Sequence, residues 1–246
     1  MTNVKRRLVV FSGAGLSADS GVPTFRSNGG LWHNHKVDEV ANGYTWKKNW
    51  DTVRKFYNGR RTELGTVQPN AMHKMIASWQ DRFTTALLTQ NIDDLLERAG
   101  CTEVVHLHGK LTEMKCEACG HTWDIGYTEM GEEDRCNSNK CNSLKGVRPN
   151  VVFFHEHAPN YATMYQVFKS LTENDCVVVI GTSGQVIDME PFLFDFDGLK
   201  ILNNLESSEF INDNRYNHVI YDRASNAADP IDKIVTDWMT QEIVNA

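Results

Sequence analysis

Apolar residues in this chain gather in short unbroken runs: Leu8-Val9-Val10-Phe11, Thr85-Ala86-Leu87-Leu88, Val104-Val105-His106-Leu107, Val151-Val152-Phe153-Phe154, Cys176-Val177-Val178-Val179-Ile180, Ile201-Leu202 and Val219-Ile220-Tyr221. Runs without alternation read as strands covered on both faces, as in a parallel sheet. Helix-like stretches lie between several of them: residues 69–82 behind Pro69, 93–99 closed by Gly100, and 230–243 behind Pro230. Strands alternating with helices predict a doubly wound α/β sheet whose ligand sits at the carboxyl ends of the strands. Two segments break the rhythm. Residues 32–64 are aromatic and charged at helical spacing (Trp46, Trp50, Val53, Tyr57, Leu64), and residues 115–144 are polar and rich in Gly, Asn and Ser. Both predict insertions that build a smaller lobe. The expected division is 1–32, 65–114 and 145–246 for the large domain, 33–64 for the helical part of the small lobe and 115–144 for its other part.

Composition narrows the class only a little. The net charge of -7 argues against a nucleic-acid-binding surface, and the one basic run, Lys5-Arg6-Arg7, is followed by no targeting-type apolar region. No apolar stretch reaches the roughly 20 residues needed to span a bilayer. A soluble, cytoplasmic protein is expected, without direct nucleic-acid or membrane partners; a monomer is compatible with the sequence, which leaves the oligomeric state open.

The cysteines change the picture more. Cys116, Cys119, Cys136 and Cys141 form CxxC, a sixteen-residue spacer, then CxxxxC, while Cys101 and Cys176 stand apart as expected packing residues. Two paired knuckles at this separation suit a tetrahedral zinc, the second being two residues longer than usual. Disulfides or a redox pair are the competing readings. Four thiolates would leave no open coordination position, so the expected zinc is structural.

At the end of the first run, Gly13-Ala14-Gly15 suits a turn that brings backbone close to a pyrophosphate. It is not the full dinucleotide fingerprint, because position 18 is Ala, and an ordinary turn explains it as well. Read onward, residues 13–32 (GAGLSADSGVPTFRSNGGLW) closely resemble the nicotinamide-nucleotide motif of sirtuins. Thr89-Gln90-Asn91-Ile92-Asp93, His106-Leu107-His108-Gly109, Gly181-Thr182-Ser183 and Asn204-Leu205-Glu206 follow in the family's order, over about residues 8–225. The resemblance implies a Rossmann-like parallel-sheet domain with a small lobe of helices and a zinc ribbon. It also implies an NAD-dependent protein-lysine deacylase that releases nicotinamide and O-acyl-ADP-ribose.

Residue by residue, the resemblance implies that Gly13, Ala14, Gly15, Ala18, Trp32 and the loop Pro23-Thr24-Phe25-Arg26 hold the nucleotide, Phe25 shielding the reactive carbon from water. Gln90, Asn91, Ile92 and Asp93 match nicotinamide and ribose contacts, though Asn91 and Asp93 also suit capping of the following helix. Gly181, Thr182 and Ser183 would take phosphate, Asn204, Leu205 and Glu206 the adenosine ribose, and Ala224 would offer a backbone N–H near the adenine. His106 and His108 share a strand face if alternation holds. His108 matches the family's catalytic base, which also borders the nucleotide. His106 is expected to support or pack, at a place where many sirtuins have Glu.

Tyr57 and Arg60 are three apart on a predicted helix and match a pair in sirtuins that prefer acidic acyl groups. With Val152 and Phe154 they are the expected substrate contacts, and succinyl-, malonyl- or glutaryl-lysine joins acetyl-lysine as substrate. A packed Tyr beside a surface Arg is the alternative. His155 stands where the family usually has glycine. The rival functions are NAD glycohydrolysis or ADP-ribosyl transfer, and a non-catalytic NAD- or ADP-ribose-binding module.

Overall fold

The computed structural model describes residues 6–24, 31–32, 35–141, 143 and 146–242. In chain order the elements are β1 (Arg7–Ser12), α1 (Gly15–Ala18), β2 (Leu31–Trp32), β3 (His35–Lys36), α2 (Val37–Val40), α3 (Trp50–Thr66), α4 (Ala71–Arg82), β4 (Thr84–Thr89), α5 (Leu95–Arg98) and β5 (Val105–His106). They continue with β6 (Gly109–Cys116), β7 (Thr122–Asp124), β8 (Val147–Val151), α6 (Tyr161–Lys169), β9 (Cys176–Ile180), α7 (Glu190–Leu193), β10 (Leu199–Asn204), β11 (His218–Tyr221) and α8 (Ala224–Met239). A six-stranded parallel sheet has the order β11-β10-β9-β1-β4-β5.

The unbroken apolar runs are explained by what covers each face. Leu8, Val10, Val178 and Ile180 pack on one side with Met72, Ile76 and Trp79 of α4 and Ala227, Ile231 and Val235 of α8. Val9, Phe11, Val177 and Val179 pack on the other with Met164 and Phe168 of α6 and Leu193 of α7. Every residue of β9 is buried, and fully burying a Val or Ile side chain contributes roughly 1.5–3 kcal/mol.

Three expectations shift. The last helix begins at Ala224, and Pro230 lies inside it. Burial of Ala224, Ala227 and Ala228 against the sheet holds that first turn, overriding the usual preference for Pro at a helix start. Helix α4 is capped by Asn70, whose Oδ1 accepts from the N–H groups of Met72 and His73, so Pro69 falls just outside. The run at 151–154 does not join the parallel sheet: β8 ends at Val151 and pairs antiparallel with β6, in a three-stranded sheet ordered β7-β6-β8. A third apolar cluster joins α3 to this sheet through Val53, Phe56, Tyr57, Leu111, Val151 and Phe153. Buried Arg61 ties the same parts together, donating to the Thr128 and Leu111 carbonyls and to Asn58 Oδ1.

Candidate active site

Two glycine turns face each other at the carboxyl ends of β1 and β9. Gly15 N–H donates to the Gly181 carbonyl at 2.8 Å, and Gly13 N–H to the Ile180 carbonyl at 2.9 Å. A Cβ on Gly181, which has φ +65°, would stand 2.3 Å from the Leu16 nitrogen, so no side chain fits there. Around this junction the ends of neighbouring strands interlock. Gln90 N–H reaches the Ser12 carbonyl, Gln90 Nε2 donates to Thr182 Oγ1 at 3.0 Å, and Asn204 Nδ2 donates to the Thr182 carbonyl at 2.8 Å.

A cavity of about 760 Å³ opens beside the junction. It brings together Gly13, Ala14, Gly15, Pro23, Thr24, Gln90, Asn91, Ile92, Asp93 and His108 with Gly181, Thr182, Ser183, Asn204, Leu205 and Glu206. Tyr57, Arg60, Val152 and Phe154, named from a different part of the chain, line the same cavity. Two expected nucleotide residues stand off it: Ala18 is exposed at the end of the single-turn α1, and Ala224 is buried in the first turn of α8. Phe25 and Arg26 lie outside the described residues, and Trp32 is described for its backbone alone.

At the floor, Ser17 organises three polar side chains. Its hydroxyl donates to Asp93 Oδ2 at 2.8 Å and accepts from Asn91 Nδ2 at 3.1 Å. His73 Nδ1 accepts from the Asn70 N–H, which leaves Nε2–H to point at the Ser17 oxygen 3.4 Å away. Burial holds the His73 pKa down at about 4, so this ring stays neutral. Burial also pushes the Asp93 carboxyl above its usual range, against hydrogen bonds from Ser17 and the Leu95 N–H. Ser17 lies inside the glycine motif, but nothing in its spacing marks this role.

The two histidines meet different surroundings. The chain leaves the sheet after His106, and Gly109, at φ +80°, turns it into β6. His106 therefore points into the interior, with Nδ1 2.8 Å from the Asn91 carbonyl, while His108 points into the cavity. His108 Nδ1 lies 3.0 Å from the Gln90 carbonyl, which can only accept, so Nδ1 carries the hydrogen and Nε2 is the basic nitrogen. Burial lowers its pKa, which favours that neutral form. The Tyr161 hydroxyl stands 3.0 Å from Nε2. Tyr161 opens α6, 53 residues from His108, and no sequence signal connects them.

On α3, Tyr57 is fully buried, stacked on Phe153 at 5.8 Å between ring centres, and burial keeps its hydroxyl protonated far above the usual range. Arg60 sits over the Phe56 ring and bonds Glu63 Oε1 through Nη2, while its buried Nε and Nη1 have no hydrogen-bond partner among the described residues. A guanidinium with two free buried donors beside a cavity suits an entering carboxylate. At the mouth, His155 adopts φ +68°, the backbone region that favours glycine, and its ring stacks on Tyr44 at 5.1 Å.

A Sir2-family profile matches residues 13–188 of this chain. The chain belongs to the Sir2 family. Among its relatives, a protein of Helicobacter hepaticus named NAD-dependent protein deacylase is 44% identical, covering 92% of this chain and 96% of its own. A Campylobacter jejuni protein of the same name is 41% identical, covering 94% and 95%. Two solved Sir2 homologues superpose over nearly the whole fold. One, a mutant in complex with ADP-ribose, has TM-score 0.81, 29% identity and coverage of 97% and 95%; the other, in complex with NAD, has 0.80, 30%, 95% and 91%.

This Sir2 fold also gathers its four clustered cysteines. The sulfurs of Cys116, Cys119, Cys136 and Cys141 all lie within 4.8 Å of one another. Cys116 and Cys141 are 3.8 Å apart and Cys119 and Cys136 3.6 Å, too long for a disulfide. Zinc–sulfur bonds of about 2.3 Å in a tetrahedron give sulfur separations of about 3.8 Å, so the donor set fits zinc. Buried Arg148 links this cluster to the cavity wall: Nε bonds Glu117 beside Cys116, Nη1 the Val151 carbonyl, and Nη2 both Glu156 oxygens.

Proposed function

We propose that this protein is an NAD-dependent protein-lysine deacylase that acts on succinyl-, malonyl- or glutaryl-lysine as well as acetyl-lysine. The observation that carries the reading is one cavity lined by the glycine junction with its polar floor, by His108 and by Arg60. NAD serves as co-substrate: the acyl oxygen of the modified lysine displaces nicotinamide from its ribose, a ribose hydroxyl attacks the acyl carbon, and one water is consumed in releasing free lysine and O-acyl-ADP-ribose.

The turns at Gly13 to Gly15 and Gly181 to Ser183 receive the phosphates, since backbone can approach there without side chains. Pro23 and Thr24 close over the nicotinamide side, with Phe25, Arg26 and Trp32 assigned by resemblance. Gln90, Asn91, Ile92 and Asp93 meet nicotinamide and its ribose, and Asn204, Leu205 and Glu206 meet the second ribose. Ala18 and Ala224 retain only supporting positions. His108 is the general base: Gln90 fixes its tautomer, and Nε2 takes a proton from a ribose hydroxyl. Val152 and Phe154 flank the entering lysine, and Tyr57 and Arg60 bind a carboxylate at the end of the acyl chain.

Cys116, Cys119, Cys136 and Cys141 hold one structural zinc, which braces the wall through Glu117 and Arg148. The division follows: 1–32, 65–114 and 145–246 form the nucleotide-binding body, with 33–64 and 115–144 as the small lobe. Among the described residues no helix is long and apolar enough to cross a membrane. Free thiols fit a reducing compartment, and we place the protein in the cytoplasm. The test is nicotinamide release with and without acylated peptide. Release that requires peptide is the expected result; release without peptide would mean a glycohydrolase, and none would mean a binding module.

A further inference from the structure

His106 is 5% exposed in its side chain and contacts the backbone of Asn91, a residue that lines the cavity. Nδ1 is 2.8 Å from the Asn91 carbonyl, and Nε2 is 2.8 Å from Glu97 Oε1. Glu97 Oε1 is also 2.7 Å from Lys110 Nζ. Against burial, the Lys110 ammonium on this oxygen favours the ionised form of Glu97. It is therefore a carboxylate. A carbonyl oxygen and a carboxylate can only accept, so both ring nitrogens must donate, and the ring is an imidazolium.

We propose that His106 is a positioning residue for the reaction: a buried cation, held by Glu97, that fixes the Asn91 backbone and keeps the Ser17–Asn91–Asp93 floor in its binding geometry. A further contact supports the assignment. Asn160 Nδ2 donates to the His106 carbonyl at 2.7 Å, anchoring the residue from the α6 side. The charged groups around the ring are thus Glu97 on α5, Lys110 on β6 and Asp93 before α5. Glu97 and His106 are linked only by folding, nine residues apart. The proposal deepens the deacylase reading and rests on Asn91 and Asp93 meeting nicotinamide and ribose.

The test uses the full-length protein. Nitrogen-15 NMR of labelled histidine should show His106 with two ring N–H groups at neutral pH. Glu97→Gln keeps the shape and lets a neutral ring accept from the amide, so both contacts survive and the fold with them. NAD affinity measured by calorimetry should nevertheless weaken about 5-fold or more, the difference between a charge-assisted and a neutral hydrogen bond. Lys110→Met removes the neighbouring charge without touching the ring and should change affinity by less than about 2-fold. His106→Phe should weaken NAD binding at least as much as Glu97→Gln. A native ring with one N–H, or equal losses in Glu97→Gln and Lys110→Met, would overturn the proposal alone. Failure of the native protein to bind NAD would overturn the deacylase reading with it.

Discussion

Replacing Arg60 by Met is the most exacting test of the acyl pocket. The side chain is 13% exposed, and burial lowers the guanidinium pKa, so the cation is carried at some cost that a bound carboxylate would offset. Its Nε and Nη1 donors are buried without partners among the described residues, whereas Nη2 already bonds Glu63, which is 47% exposed. A charge-assisted hydrogen bond contributes about 1.5–3 kcal/mol, or roughly 10- to 150-fold in rate. Competition from Glu63 places the expectation near the lower end. Arg60→Met should cut kcat/KM for a succinyl-lysine peptide by about 10-fold or more, and should leave the acetyl-lysine peptide of the same sequence within about 3-fold. Glu63→Gln removes the internal competitor and should raise desuccinylation by up to about 5-fold, the worth of an exposed ion pair. Tyr57→Phe should act in the same direction as Arg60→Met but more weakly, because one neutral hydrogen bond is lost. The assay follows nicotinamide release from both peptides at saturating NAD. Parallel losses on the two substrates would show that Arg60 only supports α3 and would refute the acidic-acyl assignment.

His108→Tyr should lower deacylation by about 10²-fold or more while NAD still binds by calorimetry; near-native turnover would remove it as the base. Because burial depresses the His108 pKa, the neutral base should persist to lower pH, and the acid limb of kcat/KM should fall below the usual imidazole value of 6.5; a limb above that value contradicts the assignment. Tyr161→Phe removes the hydroxyl on Nε2 and should alter turnover by no more than about 10-fold, so a loss beyond about 100-fold would make the phenol part of the chemistry. Cys116→Ser should lower zinc content and melting temperature together, by roughly 6–12 °C if about 3 kcal/mol is lost. A protein free of zinc that melts like the native form would exclude a structural metal.

Much of this was legible in the chain itself. Runs such as Cys176 to Ile180 are apolar at every position because helices cover both faces of a parallel sheet, and that pattern survives in one dimension. The glycine turns, the cysteine spacing and His108 were legible too, since each is a local cluster whose chemistry follows from residue type and short separation. Other features depended on distant segments meeting. Tyr161 reaches His108 across 53 residues, and Arg148 joins Glu117 to Glu156, contacts that no period or motif encodes. Local rules misread Pro230, where buried alanines hold the helix. The run at Val151 to Phe154 carries the same apolar signature as the parallel strands, yet it enters only the end of β8, whose partner is β6. Pairing is decided by which strand edge the folded chain brings alongside, and that is a property of three dimensions.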